Sequence, residues 1–442
     1  MNDPTPYRAF TERAPQLEFP PQINRLEFTG WMDEQLSWKE SCYIGDWTFV
    51  PQIRIKGPDA LRLFQDLSVN SFENFPLDQA VHCIQCNDEG KVISEGILFR
   101  HGEDDFEYEV GTPNWIRYQL ATGGYDAEAS FPLTHKLQVV GPRAMALLEK
   151  LTKTGLRDVR CMAHRPVAVG GRDTVFLRQN MADELGFEIH GPIEQHDEIW
   201  QTVYEAGEEF GIRRLGRRTM MINHLEASHP TGCIHFFNAL ADDSKVDYRE
   251  WVDQNPLPDG WRGTAMEAWP YNISTSFTGS WDGDDIRQLY RSPVEMGWGH
   301  NISSDHDYPG RAALEEELAN PRRTVVTLEY DSEDLIAMYA TLFGSGDVIR
   351  PFEIPHSPYA MCWVDKILKD GETVGHATFP GYSLYFRKAL ALSFIDVQYA
   401  DPGTPVTVLW GNPGEPQMEL RATVARAPYK EDRLMSEAPV TA

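Results

Sequence analysis

No stretch of the chain approaches the roughly 20 consecutive apolar residues that a helix needs to cross a bilayer, and Met1 to Pro21 is studded with Pro, Glu and Arg instead of a basic leader and an apolar run. A cytoplasmic protein with no membrane partner is expected. Cysteine is scarce. Cys42, Cys83, Cys86, Cys161, Cys233 and Cys362 are too few for a disulfide scaffold and suit a reducing compartment. Positive charge is in short supply too: 40 Lys and Arg stand against 67 Asp and Glu, a net charge of -27 that a nucleic-acid or anionic-lipid surface would repel. Several catalytic signatures are missing. Neither GxxxxGK[ST] nor GxGxxG is present, which argues against nucleotide and dinucleotide chemistry, and no G-x-S-x-G marks a hydrolase elbow. Cys83-Ile84-Gln85-Cys86 has the spacing of a zinc pair but no second pair follows, and His224, His229 and His235 lack the i, i+4 spacing of a helical pair, so no metal is expected.

At 442 residues the chain is too long for one core. Residues 1–25 hold five prolines and read as an irregular arm able to line a pocket. Trp31, Leu36 and Trp38 recur at helical spacing, Tyr43 to Val50 is strand-like, and Gln52 to Gly57 alternates as a strand before Pro58 opens an amphipathic helix through Leu67. Leu137 to Leu151 repeats the pattern of strand, Gly-Pro and apolar-striped helix seen at Ile53 to Leu67, which reads as two related α+β units. Asn87 to Lys91 is a turn between strands. Ile193 to Phe210 reads as a helix with Ile199, Trp200, Val203 and Tyr204 on one side. The stretch 239–287, rich in Asp, Gly, Pro and Trp, reads as a long functional loop. From Arg323 short strands at Thr324 to Tyr330, Gly375 to Thr378, Ala391 to Ile395 and Val406 to Trp410 suggest a β-barrel-like domain. The expected division is an arm at 1–25, an α+β region at 26–320 and the barrel-like domain at 321–435.

The stretch Asp183 to Pro192 concentrates the chemistry. Gly186-Phe187-Glu188-Ile189 reads as a loop feeding a short strand, with Phe187 and Glu188 on opposite faces. A carboxylate beside an apolar wall accepts two parallel N–H donors from a flat, nitrogen-rich ring such as a pterin.

Further runs stand in a telling order: Phe28-Thr29-Gly30-Trp31, Glu34-Gln35-Leu36-Ser37-Trp38, Thr122-Gly123-Gly124-Tyr125, Gly211 to Arg218, Tyr248-Arg249-Glu250-Trp251, Glu295-Met296-Gly297-Trp298, Asp307 to Arg311, Gly381 to Leu392 and Pro405 to Gly411. Together they resemble the T-protein (aminomethyltransferase) family of folate enzymes over most of the chain. Within that family they are most similar to the tetrahydrofolate-dependent aryl-methyl-ether O-demethylases of the vanillate and syringate type. The resemblance implies an α+β fold of two ferredoxin-like units and a C-terminal β-barrel-like domain around a central folate site. It also implies tetrahydrofolate as cofactor, held by Glu188, Phe187 and Trp298, and a small methoxyaromatic substrate for a monomer or small homo-oligomer.

Tyr248 stands where those demethylases place a catalytic tyrosine, with Arg249 beside it to favour donation to a departing phenolate oxygen. The chain also departs from its look-alikes. Ser94 and Glu95 occupy the paired acidic positions that aminomethyltransferases use, and a serine cannot replace an aspartate's charge. The clamps for an aromatic acid fall at Pro21, Trp47, Val50 and the shortened Gly111-Thr112-Pro113, leaving a more apolar pocket in which Arg25 or Arg249 would hold a carboxylate. Two other readings stay open: a methyltransferase with an onium donor held by a cation–π wall of Trp31, Trp47 and Phe49, and a folate-binding protein without catalysis.

Overall fold

The computed structural model describes residues 25–110, 112–232, 234–240, 243–257, 277–355 and 362–434. Nearly all of the expected N-terminal arm, with Pro21, therefore lies outside the described residues.

The chain opens with helix α1 (Trp31–Glu40) and β1 (Cys42–Asp46), then leaves to build another sheet from β2 (Gln52–Lys56), β3 (Ala80–Cys86), β4 (Val92–Gly102), β5 (Asp105–Val110) and β6 (Glu128–Ser130), in the order β3-β4-β5-β2-β6. It returns beside β1 with β7 (Thr134–Val140), β8 (His164–Val169), β9 (Arg172–Leu177), β10 (Gly186–Pro192) and β11 (Ile212–Arg214), a sheet in the order β11-β1-β7-β10-β9-β8 that is parallel only at β1–β11. The two α+β units are thus interleaved.

The repeat read from the sequence is present in both. Helix α2 (Ala60–Leu67) follows β2 as helix α4 (Ala144–Thr152) follows β7, with α3 (Pro113–Thr122) between them in the chain. Each strand-to-helix corner turns on a glycine: Gly57 has φ 140° and Gly141 φ 131°. A Cβ there would come within 2.6 Å of the Asp126 carbonyl oxygen or 2.7 Å of that of Ser41, so both corners require the missing side chain. Helix α2 buries Leu63, Phe64 and Leu67 against Ile53, Ile55, Phe106 and Tyr108. Helix α4 and α5 (His196–Gly207) cover the outer face of the other sheet, where Leu147, Leu148, Ile199 and Val203 meet Val139, Phe187 and Ile189. Each such side chain contributes about 1.5–3 kcal/mol on burial. Helix α6 (Arg217–Ala227) packs with α1 on the opposite face of that sheet, where Met220, Ile222 and Leu225 meet Trp38, Tyr43 and Trp47.

Two expectations are corrected. The strand expected through Val50 stops at Asp46, because the Asp46 carboxylate accepts the Thr48 backbone N–H at 2.9 Å and turns the chain there. The loop expected over 239–287 contains helix α7 (Val246–Gln254), which buries Tyr248 and Val252, while 258–276 falls outside the described residues. After β12 (Phe277–Thr278) come α8 (Arg311–Ala319), β13 (Arg323–Tyr330) and α9 (Ser332–Ala340). The chain ends in β14 (Cys362–Lys369), β15 (Glu372–Ser383), β16 (Lys388–Asp396), β17 (Pro405–Trp410) and β18 (Met418–Ala425). Strands β14-β15-β16-β13-β18-β17 close into a six-stranded barrel through β14–β17 pairs such as Ile367↔Val408. Among the described residues no helix is long and apolar enough to cross a membrane.

The barrel is fastened to the α+β region through Glu226. Fully buried at the end of α6, it accepts from Trp38 Nε1 at 3.0 Å and Ser383 Oγ at 2.5 Å and pairs with Lys39 at 3.2 Å. Gln35 adds two bonds to the same barrel segment, donating to the Tyr382 carbonyl and accepting from the Leu384 N–H.

Candidate functional site

Strand alternation sets the site's geometry. Phe187 faces the helices and is fully buried beside Phe176, ring centroids 5.7 Å apart, while Glu188 faces the other way. Phe187 therefore belongs to the core, and the expectation that it holds a cofactor alongside Glu188 is corrected.

Glu188 sits directly across the β10–β7 ladder from Gln138 and accepts its Nε2–H at 2.7 Å through Oε1. Gln138 Oε1 accepts from the Tyr43 hydroxyl at 3.1 Å, and that hydroxyl accepts in turn from Asn223 Nδ2 on α6 at 3.3 Å. On the other side Oε2 of Glu188 lies 3.2 Å from His190 Nε2, and His190 Nδ1 lies 3.1 Å from Glu109 Oε1 on β5, in the other sheet. A buried hydrogen-bonded chain therefore runs from α6 across three strands of one sheet to His190, which meets the central strand β5 of the next sheet as an ion pair with Glu109. Burial pushes the Tyr43 hydroxyl well up, with the Glu188 charge adding to it, so the phenol stays a donor. Burial also pushes the Glu188 carboxyl up, against the pull of His190.

Asn223 links this chain to Trp47. His224 Nδ1 stands 2.7 Å from Asn223 Oδ1 and 3.1 Å from the Met220 carbonyl, two acceptors that fix its proton on Nδ1, and burial holds the ring neutral, down to about 3. The Trp47 indole stacks on that ring at 6.2 Å and 14°, and it fits because Gly45 leaves the space: a Cβ there would be 2.3 Å from the indole. Phe49 and Val50 pack in the same cluster.

The remaining expected residues are distributed differently. Trp31 meets Tyr382 of the barrel edge-on at 6.1 Å, so the cation–π wall of Trp31, Trp47 and Phe49 is not assembled. Arg25 is exposed and lies over the Phe28 ring at 5.3 Å, a neighbour of α5 through the Phe28–Trp200 contact. Trp298 is half-buried, edge-on to His82 at 4.6 Å, and His82 pairs with Glu95 at 3.0 Å. Ser94 is fully buried and accepts from the Thr112 hydroxyl at 2.8 Å, so the buried position of the acidic pair carries a neutral network.

Tyr248 is 1% exposed and is held edge-to-face by Trp115 at 5.6 Å and Tyr118 at 5.5 Å, in a cluster distinct from that of Trp47. Arg249 donates to the Leu240 carbonyl at 3.1 Å. A second cation, Arg117 of α3, lies over the Trp251 ring at 5.2 Å and within electrostatic reach of Tyr248. The sequence alone does not single out Tyr43, Glu109, Gln138, His190, Asn223 or Arg117, and it marks His224 only as a non-ligand histidine. The alternation that singled out Glu188 also puts His190 on its face, and Gln138 shows the same alternation in Leu137-Gln138-Val139. Glu109 alternates in Phe106-Glu107-Tyr108-Glu109, but nothing in that pattern pairs it with His190, and Asn223 and Arg117 carry no such signal, because only the packing of separate elements brings them in.

A groove of about 850 Å³ lies elsewhere, between the barrel and α9, lined by Asp331, Leu335, Ile336, Tyr382, Lys388 and Arg421 among others. None of the polar chain around Glu188 lines it.

Comparison with known proteins gives this geometry its context. The GCVT N-terminal domain model matches residues 5–232 and that of the glycine cleavage T-protein C-terminal barrel domain matches residues 354–429. The chain is 31% identical over 419 residues to the sesamin methylene transferase of Sinomonas sp. (strain No.22), covering 91% of this chain and 90% of that one. It is 29% identical over 427 residues to the syringate O-demethylase of Sphingobium sp. (strain NBRC 103272 / SYK-6), covering 91% and 89%. In fold it is similar to the glycine cleavage system aminomethyltransferase T from Bartonella henselae, with a TM-score of 0.66 at 15% identity over 97% of this chain and 98% of that one. With its interleaved α+β units, its closed barrel and models matching both regions, the chain belongs to the glycine cleavage T-protein family of transferases.

Proposed function

We propose that the chain is a tetrahydrofolate-dependent transferase that takes a methyl group from an aromatic methoxy compound and leaves a phenol and 5-methyltetrahydrofolate. The buried Glu188 carboxylate, on the scaffold of this family, is the observation that carries the reading. Each of its oxygens faces one protein donor, Gln138 Nε2 at 2.7 Å or His190 Nε2 at 3.2 Å, and a carboxylate oxygen has a second lone pair, so two parallel N–H donors of a pterin fit what remains. When bound, tetrahydrofolate supplies the nitrogen that receives the carbon.

The chain's own part is orientation, exclusion of water and management of one proton. As the ether bond breaks, negative charge develops on the departing oxygen, and a hydrogen bond from the Tyr248 hydroxyl lowers that barrier. Its phenol is buried among aromatic rings, where a donor acts in a low dielectric, and Arg117 supports negative charge on it. Trp115, Tyr118 and Trp251 supply flat apolar walls for an arene. Aminomethyl transfer is disfavoured because Ser94 presents a neutral hydroxyl where that chemistry uses an acid.

The likeness to a sesamin methylene transferase favours a second donor, a methylenedioxyarene. Its bridging carbon would leave by breaking two C–O bonds and forming two C–N bonds, with two N–H protons returning to the two phenol oxygens. Incubation with tetrahydrofolate and a panel of methoxyarenes, methylenedioxyarenes and sulfonium compounds, followed by mass spectrometry of the folate, tests both. A methylated folate with a methoxyarene is expected. Transfer only from a sulfonium donor, or unaltered folate with every donor, would overturn the proposal.

A further inference from the structure

His190 is 7% exposed, yet each of its ring nitrogens faces a different carboxylate: Nε2 lies 3.2 Å from Glu188 Oε2 and Nδ1 3.1 Å from Glu109 Oε1, with the two acids 5% and 6% exposed. A charged ring donates to the Glu188 carboxylate through Nε2–H and sets its remaining charge against the Glu109 carboxylate at ion-pair distance, whereas a neutral ring would leave two buried carboxylates repelling one another across it. We infer that His190 is a standing imidazolium that bridges the two sheets and keeps the Glu188 carboxylate ionised, which makes it a positioning residue for the pterin receptor. The inference rests on the reading of Glu188 given above.

The surroundings agree from every side. On β5, Glu107 sits beside Glu109 but is paired with His101 of β4 at 3.2 Å. On β7, Lys136 Nζ lies 3.7 Å from Glu109, and on β7 and β8 His135 and His164 are both held down to about 4, burial being the larger cause and the charge on His190 a contributing one. Phe99 of β4 closes the site with its ring edge-to-face at 5.3 Å. The two acids, the imidazolium and the ammonium of Lys136 sum to zero, the condition under which buried charges are tolerated. The acids flanking the ring hold its proton up to about 10. Three ligand atoms of Glu109, Glu188 and His190 lie within 4.8 Å of one another, the spacing a metal ion would need, but the ammonium of Lys136 beside them and the proton shared through His190 already supply the positive charge.

Without the imidazolium, the burial and the Glu109 charge that push the Glu188 carboxyl up lose their main opponent, leaving the Gln138 hydrogen bond against them, and a carboxyl protonated in consequence presents a donor where a pterin N–H needs an acceptor. The experiment has two arms. In the first, the ligand-free protein labelled at its imidazoles is titrated by NMR, and the resonance missing from His190→Gln is followed. It should remain an imidazolium from pH 5 to about 9. If His190→Gln does not fold, the resonance that shifts in Glu109→Gln identifies the ring. A ring that is neutral at pH 7, or a stoichiometric metal in the purified protein that leaves it so, overturns the inference whatever folate does. In the second arm 5-formyltetrahydrofolate is titrated calorimetrically between pH 6 and 8.5. Wild-type affinity should be flat, while His190→Gln should lose about tenfold for each pH unit below the carboxyl's new pKa and recover as pH rises. Unchanged, pH-independent binding by His190→Gln overturns the positioning role. Glu188→Gln in the same titration separates the causes: if it too binds normally, the pterin reading has failed, and if it binds weakly, only the role of His190 has.

Discussion

Replacing Tyr248 by Phe removes one oxygen and leaves the ring where it is. The edge-to-face contacts with Trp115 and Tyr118, at 69° and 76°, use ring faces and edges that phenylalanine shares. Folding should therefore lose no more than the hydroxyl's own contribution, about 1 kcal/mol. Turnover should fall much further if the hydroxyl assists the leaving oxygen: by about 10²- to 10⁴-fold, or roughly 3–5 kcal/mol of barrier. The assay is the initial rate of phenol release across a series of ring-substituted methoxyarenes, with binding of 5-formyltetrahydrofolate measured alongside. Electron-withdrawing substituents make the phenolate a weaker base that needs less help, so the deficit should shrink along the series. A sulfonium donor, whose leaving group departs neutral, should show almost none. The same loss on every donor would refute proton donation and leave Tyr248 as a wall of the pocket.

Glu188→Gln keeps the Gln138 neighbour but turns one acceptor into a donor, so affinity for tetrahydrofolate in calorimetry should weaken by about 1.5–3 kcal/mol, with the fold intact by circular dichroism. Glu226→Ala leaves Trp38 Nε1 and Ser383 Oγ buried without that acceptor and Lys39 with its cation–π contacts to Tyr385 and Phe386 but no carboxylate at the joint with the barrel, and the melting temperature should fall by an amount equivalent to about 3–5 kcal/mol. Acid should destabilise the protein below pH 6.5. His135 and His164 are held down to about 4 and His224 to about 3, chiefly by burial, so between pH 6.5 and 4 the unfolded chain binds protons that the folded one refuses. Each contributes about 1.4 kcal/mol per pH unit. Asp365, pushed up to about 7 by burial in the barrel, has the opposite sign: its contribution grows as pH falls below 7 and offsets one histidine. His376 is also held well below its usual range by burial, so the histidines outweigh Asp365 and the melting temperature should fall from pH 6.5 to 4.5, and a flat profile would contradict it.

Legibility in the sequence followed the range of the interaction. The repeat of strand, glycine corner and helix at Ile53 to Leu67 and Leu137 to Leu151 was readable because its cause is local: the corner forbids a side chain and the helix buries one stripe. Glu188 was readable for the same reason, since alternation alone separates it from Phe187. Its partners were not. His190 meets Glu109 across two sheets and 81 positions of chain, and Asn223 reaches Tyr43 only because α6 packs over β1. Helix α7 reads as loop in the sequence because Asp247-Tyr248-Arg249-Glu250-Trp251 offers a narrow apolar stripe between stretches of loop composition, and packing of Tyr248 and Val252 supplies what periodicity lacks. The strand reads through Val50 in the sequence because the side chain that ends it, Asp46, acts on the backbone two residues later.

The distribution of charge around the two clusters bears on the donor. At Ser94 the buried network consists of hydroxyls, with Thr112 at 2.8 Å and the Tyr108 hydroxyl at 3.5 Å, and the neighbouring Glu95 carboxylate is engaged by His82 at 3.0 Å, so a cationic donor would enter with little to offset its desolvation. An anionic donor meets the converse difficulty. Arg25 is exposed beside Phe28, Arg249 is turned to a backbone carbonyl, and Arg117 is engaged with Asn114 and Trp251, all on a chain of net charge -27 that repels a carboxylate at long range. A neutral aromatic ether loses nothing on either count. On the function proposed above, it would stack on Trp115, Tyr118 and Trp251 and develop charge only as the bond breaks, when the Tyr248 hydroxyl would meet it. A site that is neutral before the reaction and supplies its hydrogen bond during it spends its electrostatics on the transition state and not on the bound substrate, which is the condition for those interactions to raise the rate.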